Sequence, residues 1–191
     1  MARYGTAHKE ASRRRIIEAA GRRLKNDGVD GSGISALMAD AGLTNGAFYA
    51  HFASKQDLVA AAVADQLRQQ LELYQQANDR QGVEQLVRTY LSPEHRDDPG
   101  QGCPSAALLD EIGRCSVGIK DAYTGGLLEV ADHVASVLSP DDPRSARAQT
   151  LSLFALLIGT LQLSRALSDR RLSDEVLERG IENALAMLPV P

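Results

Sequence analysis

Apolar side chains recur along this chain at three- and four-residue spacings and never settle into strand-like alternation. Ile16, Ile17, Ala20 and Leu24 make one stripe, the spacing of a helix with one buried face, and predict a helix over 8–26. Asn26-Asp27-Gly28 is its stop, with Gly28 suited to a left-handed cap. Ile34, Leu37, Met38 and Ala41 predict a second, short helix over 34–41, ended by a turn at Gly42. Thr44 then stands at the cap of a helix running from Asn45 to about His51. Phe48 and Phe52, four apart, face the core. Ser54 and Asp57 form a capping box for a long helix over 54–78, striped by Val59, Val63, Leu67, Leu71 and Tyr74. At 1.5 Å per residue that helix is a strut of about 36 Å.

The rest continues in helical periods. Val83, Leu86, Val87, Tyr90 and Leu91 predict a helix that stops before Pro93, and 92–102 reads as a polar loop. Pro104 suits a first helical position, behind Cys103. Residues 117–138 form another helix, where Gly125-Gly126 predicts a kink or a close approach. An apolar helix follows over about 144–168, and Ser173 caps a last one that closes at Pro189. The fold class is all-α, with about nine helices. The domain reading is a head over 1–53 and a helical body over 54–191, joined by helix 54–78.

Charge sharpens this division. The net charge of −4 argues against a polyanion partner, but its distribution argues for one. Residues 1–25 hold 8 basic and 2 acidic side chains, and residues 61–191 hold 12 and 19. A basic head on an acidic body points to one polyanion-binding end. Two cysteines make no disulfide framework. The N-terminus lacks the apolar core of a signal peptide, and the run Leu151 to Leu161 is too short to span a bilayer. The expectation is a cytoplasmic protein with no membrane partner.

Helix, glycine turn, short helix and capped third helix make a helix-turn-helix. Such a unit lays the first turn of its second helix against base edges, so small or polar residues belong there. Thr44, Asn45, Gly46 and Ala47 fit. Tyr49, Ala50 and His51 lie on the exposed side, where Tyr49 and His51 can donate to phosphates, as can Lys55 at the next helix start. The bland alternative is a packed helical hairpin. Ala41 to Leu58 (Ala-Gly-Leu-Thr-Asn-Gly-Ala-Phe-Tyr-Ala-His-Phe-Ala-Ser-Lys-Gln-Asp-Leu) resembles the signature of TetR-type transcriptional regulators. The likeness covers about 9–60 closely. It implies a three-helix DNA-binding domain and a helical domain for ligand and dimerisation. By that resemblance Thr44, Asn45 and Ala47 meet bases, and Tyr49, His51 and Lys55 hold phosphates. The family often carries a Thr ahead of the second helix that caps it and touches phosphate. This chain has Ser32-Gly33-Ile34-Ser35 there, so that contact falls to Ser32 or is absent.

Three further features are candidates. Leu151, Leu153, Phe154, Leu156, Leu157, Ile158, Leu161 and Leu163 surround one helix with apolar side chains, more than one buried face needs. The resemblance implies that helices 144–168 and 173–188 pair with their copies in a homodimer. It also places a ligand site among helices 83–168, where Leu86, Tyr90, Leu108, Ile112, Tyr123, Leu127, Phe154 and Ile158 are candidates. Few charges interrupt those faces, which favours a small, largely apolar ligand. Cys103, at a helix N-terminus, has the position of a lowered-pKa thiol and opens a redox- or electrophile-sensing alternative. An internal disulfide with Cys115 requires the intervening helix to break. His8, His51, His95 and His133 lack metal-ligand spacing, and no phosphate loop or nucleophile elbow occurs. The reading is a ligand-responsive repressor, not an enzyme, with no cofactor. The alternative from another class is a helical protein-interaction module without DNA binding.

Overall fold

In the computed structural model residues 2–189 are described, and they form nine α-helices, one 3₁₀ segment and no strand. The helices are α1 (Ala2–Gly31), α2 (Ile34–Asp40), α3 (Lys55–Tyr74), α4 (Arg80–Tyr90), α5 (Pro93–Asp97), α6 (Pro104–Arg114), α7 (Val117–Leu138), α8 (Pro143–Ala166) and α9 (Arg170–Ala186). The 3₁₀ segment is Asn45–Ala50. Among the described residues no helix is long and apolar enough to cross a membrane.

The apolar stripes become two cores. The first gathers Ile16, Ala20 and Leu24 of α1, Leu37 and Met38 of α2, Phe48 and Phe52, and Leu58 to Leu67 of α3. It also takes in Leu108 and Ile112 of α6 and Ile119 and Tyr123 of α7. The second lies among α4, α7, α8 and α9, around Val87, Leu91, Val134, Leu157 and Leu161. Helix α3 reaches both, with its C-terminal Tyr74 in the second core. It packs most extensively on α7. There a side chain on Gly126 would stand 2.7 Å from the Leu67 Cβ, so Gly126 serves close approach, whereas Gly125 faces open space.

Several boundaries differ from the sequence expectation. Gly28 does take the left-handed conformation (φ 76°), yet the chain resumes a helical turn to Gly31, so the stop is a kink within α1. Helix α3 has 20 residues, about 30 Å, ending at Tyr74. The polar stretch after Ser92 holds the short helix α5, because the Ser92 hydroxyl accepts from His95 N and Pro93 sits at the first helical position. The last helix starts earlier than Ser173, since Asp169 accepts from the amides of Arg171 and Leu172. Ser173 is buried instead, donating to the Ser164 carbonyl.

Candidate nucleic-acid interface and ligand cavity

Helix α2 ends where Gly42 (φ 66°) turns the chain, and its amide bonds the Ala39 carbonyl. Arg15 of α1 donates to the Ala41 carbonyl at 2.5 Å, closing the turn against the first helix. Arg23 of α1 pairs with Asp40 of α2 and Asp27. This holds the angle between α1 and α2, and the guanidinium holds Asp40 below the usual carboxylate range.

The second limb is a 3₁₀ helix rather than the expected α-helix. Thr44 occupies its N-cap but makes no side-chain capping bond, and the Ala47 amide reaches the Thr44 carbonyl at 3.0 Å. The same i→i−3 pattern closes its far end, where the His51 amide donates to the Phe48 carbonyl at 2.9 Å. Phe48 anchors the segment, fully buried, edge-on to Tyr49 and beside Phe52. The guanidinium of Arg13 lies 4.9 Å from the Phe52 ring centre. Thr44, Asn45, Gly46 and Ala50 are exposed, and Tyr49 stands 72% exposed. Ala47 is half-buried against the core. His51 is half-buried, its Nδ1 is buried with no partner among the described residues, and its pKa is lowered by burial and then by Lys9 and Arg13. Those two cations therefore lie near the His51 ring. Lys9 escaped the sequence reading, and its position in the basic run of residues 1–25 was the signal.

Two candidate phosphate contacts are engaged with backbone in this structure. Ser32 is fully buried, and its hydroxyl donates to the Gly28 carbonyl at 2.6 Å, so the side chain serves the α1 kink. Gly33, not Ser32, is the N-cap of α2. Lys55 donates to the Val29 carbonyl at 2.6 Å, tying the start of α3 to the same kink. From the body, Glu111 of α6 accepts from the Val29 amide at 2.7 Å.

Residues 16–62 match the profile of bacterial regulatory proteins, tetR family. That match covers α1 from Ile16, the helix-turn-helix and the first turns of α3. Over those residues the chain carries a head of the tetR family. Its whole fold is similar to that of Escherichia coli NemR in its reduced form, at TM-score 0.78 and 18% identity over 95% of this chain and 98% of that one. A TetR-family regulator from Agrobacterium tumefaciens gives 0.76 and 16%, over 95% and 100%. A third similar structure is Bacillus subtilis FadR with stearoyl-CoA, at 0.63 and 16%, over 87% and 96%. No curated protein matches the sequence.

A cavity of about 770 Å³ opens between α1, α3, α4 and the α5–α6 segment. Leu86, Tyr90 and Cys103 of the expected ligand site line it. Leu127, Phe154 and Ile158 line a narrow pocket that shares Gln70, Tyr74, Tyr90 and Cys103 with the cavity wall. Leu108 and Ile112 line neither: they fill the first core. Tyr123 lines neither and donates to Ser105 Oγ at 2.9 Å. The apolar ligand expectation also changes, because Arg22 and Lys25 from α1 and Gln66 and Gln70 from α3 reach the wall. Periodicity could not show this, since it reports which face of a helix is buried and not what the opposing helix brings.

The cavity wall is ordered by one histidine. His95 Nε2 accepts from the Cys103 amide at 3.0 Å, and its Nδ1 meets the Tyr90 carbonyl at 2.7 Å. The first bond requires a bare Nε2, so the neutral ring carries its proton on Nδ1 and donates to Tyr90. Burial, aided by Arg165 and Lys25, lowers the His95 pKa. The Cys103 thiol donates to Gln70 Oε1 at 3.4 Å. Cys103 and Cys115 cap opposite ends of the unbroken α6, about 18 Å apart, so they form no disulfide with each other.

Proposed function

We propose that this chain represses transcription as a homodimer on a palindromic operator and is released by a small-molecule effector. In this reading residues 1–53 are the DNA-binding head and 54–191 the sensing and dimerising body. The observation that carries it is the outward face of the 3₁₀ segment: Thr44, Asn45 and Gly46 stand exposed on a segment pinned by buried Phe48. Small and polar side chains there leave room for base edges. Tyr49, His51, Lys9 and Arg13 supply flanking phosphate contacts.

Dimerisation has support on α8 and α9. Ser152, Ala155, Gly159 and Leu163 of α8 are exposed along one face, and Leu172 and Arg179 are exposed on α9. Leu163 is 53% exposed. Small residues on a helix face allow a second copy to approach closely, and two heads then read half-sites in successive grooves. Effector release is supported by the cavity against α1 and by the similar B. subtilis protein, whose structure is a complex with stearoyl-CoA. The Val29 junction offers the route, since Glu111 of α6 and Lys55 of α3 hold its two backbone groups. An effector acts only through its differential affinity for the DNA-bound and free arrangements.

The test is selection of bound duplexes from random-sequence DNA. The expected result is a palindrome with half-sites one helical turn apart, about 34 Å. Enrichment of no sequence would sink the reading and favour a protein-interaction module.

A further inference from the structure

The cavity holds two buried polar groups that lack the same kind of partner. Lys25 of α1 is only 8% exposed, and its ammonium makes one hydrogen bond, to the Gly102 carbonyl at 2.9 Å. Among the described residues no carboxylate lies within 4 Å of it. An ammonium has three donors, so this one is under-used and without a counter-ion. Tyr90 of α4 is 7% exposed, and among the described residues its hydroxyl, beside the Cys103 thiol, makes no hydrogen bond of ordinary geometry. Both side chains line the same cavity. Burying a charge without a counter-ion is costly, and so is leaving a buried hydroxyl unbonded.

The carboxylates on this wall do not meet the need. Glu94 and Asp98 are exposed and Glu18 of α1 is half-buried; among the described residues none of them forms an ion pair with Lys25, Asp98 acting on it only through space while accepting from the Gln101 amide. The other buried-side cation, Arg165, is spent on the carbonyls of His95, Arg96 and Ala106. Burial lowers the Lys25 pKa and raises that of Tyr90, which keeps the phenol a hydrogen-bond donor. Leu73 and Leu86 supply the apolar part of the wall.

We propose that the cavity takes an organic monoanion of the carboxylate class, its charged end against Lys25 and an acceptor atom on the Tyr90 hydroxyl. Lys25 is the buried cation of this wall, Arg22 being exposed, and one buried ammonium offsets one charge, whereas phosphate groups are usually met by arginine forks or clustered amides. The proposal rests on the effector reading and deepens it. Lys25 belongs to the helix that carries the head and Tyr90 to the body, so the ligand ties one to the other.

The test is calorimetric titration of the full chain with benzoate, 1-naphthoate and decanoate, and with the matching uncharged amides. At least one carboxylate is expected to bind ten-fold or more tighter than its amide. Lys25→Met removes that preference, and Tyr90→Phe weakens carboxylate and amide alike. Lys25→Met also raises the melting temperature of the ligand-free chain, because it removes an uncompensated buried charge; a lysine that served only to hold Gly102 would give a lower one. Equal affinity for acid and amide, an unchanged preference in Lys25→Met, or no saturable binding by any carboxylate would each overturn the proposal. Operator release is measured separately on the same samples. Tight carboxylate binding without release leaves the anion site standing and sinks the effector reading.

Discussion

Asn45, Lys9 and Lys55 are all polar residues of the head, yet they make separable predictions. Asn45→Ala removes a base-edge candidate, so it should relax discrimination at one base pair by about 1–3 kcal/mol and leave the salt dependence of binding unchanged. Lys9→Ala should weaken binding to all duplexes and reduce the salt slope by about 1. Lys55→Ala should do neither first. Its ammonium holds the Val29 carbonyl, and losing a charged hydrogen bond costs about 1.5–3 kcal/mol of stability in a denaturant titration. Residue chemistry in the recognition segment was legible in the sequence, because turn glycine, small residues and paired phenylalanines occur together. The direction of a side chain was not. Ser32 and Lys55 have the right groups for phosphate, but both turn inward to bond a kink that only the folded chain creates.

At the scale of elements the kink itself is the sharpest case. Gly28 has φ 76°, and a Cβ there would lie 2.5 Å from Glu111 Oε1. Gly28→Ala should therefore destabilise the chain by about 1–3 kcal/mol, read by denaturant unfolding, and should loosen the link between α1 and α6. His95 makes a pH prediction. Its folded pKa lies below the ordinary value, so the unfolded chain binds this proton more readily. The stabilisation is present above the unfolded pKa of about 6.5 and is lost as pH falls through the folded value. Protonation also places a hydrogen on Nε2, against the Cys103 amide it now accepts from. Melting curves between neutral and acid pH should fall for the wild type, and His95→Gln should flatten that part of the profile. Helix existence was legible from periodicity throughout. The bounds were less so, since Asp169 and Ser92 act as caps within polar runs whose composition looks like loop.

For the whole molecule the sequence conveyed the all-α class and the basic head, because both are sums over many residues. It did not convey that α1 forms part of the cavity, which depends on how two distant segments meet. The exposed face of α8 yields a prediction at this scale. Leu163→Glu puts a charge where a second copy is expected to pack. It should convert the dimer to a monomer by sedimentation, keep the helical content, and lower operator affinity by about 100-fold through lost bivalency. The central claim is that the head neutralises DNA phosphates, and the affinity of the selected duplex as a function of salt tests it most directly. A dimer making roughly 6–10 phosphate contacts should lose roughly 10³–10⁵ in affinity between about 50 and 200 mM salt; an affinity that does not change with salt would contradict the account.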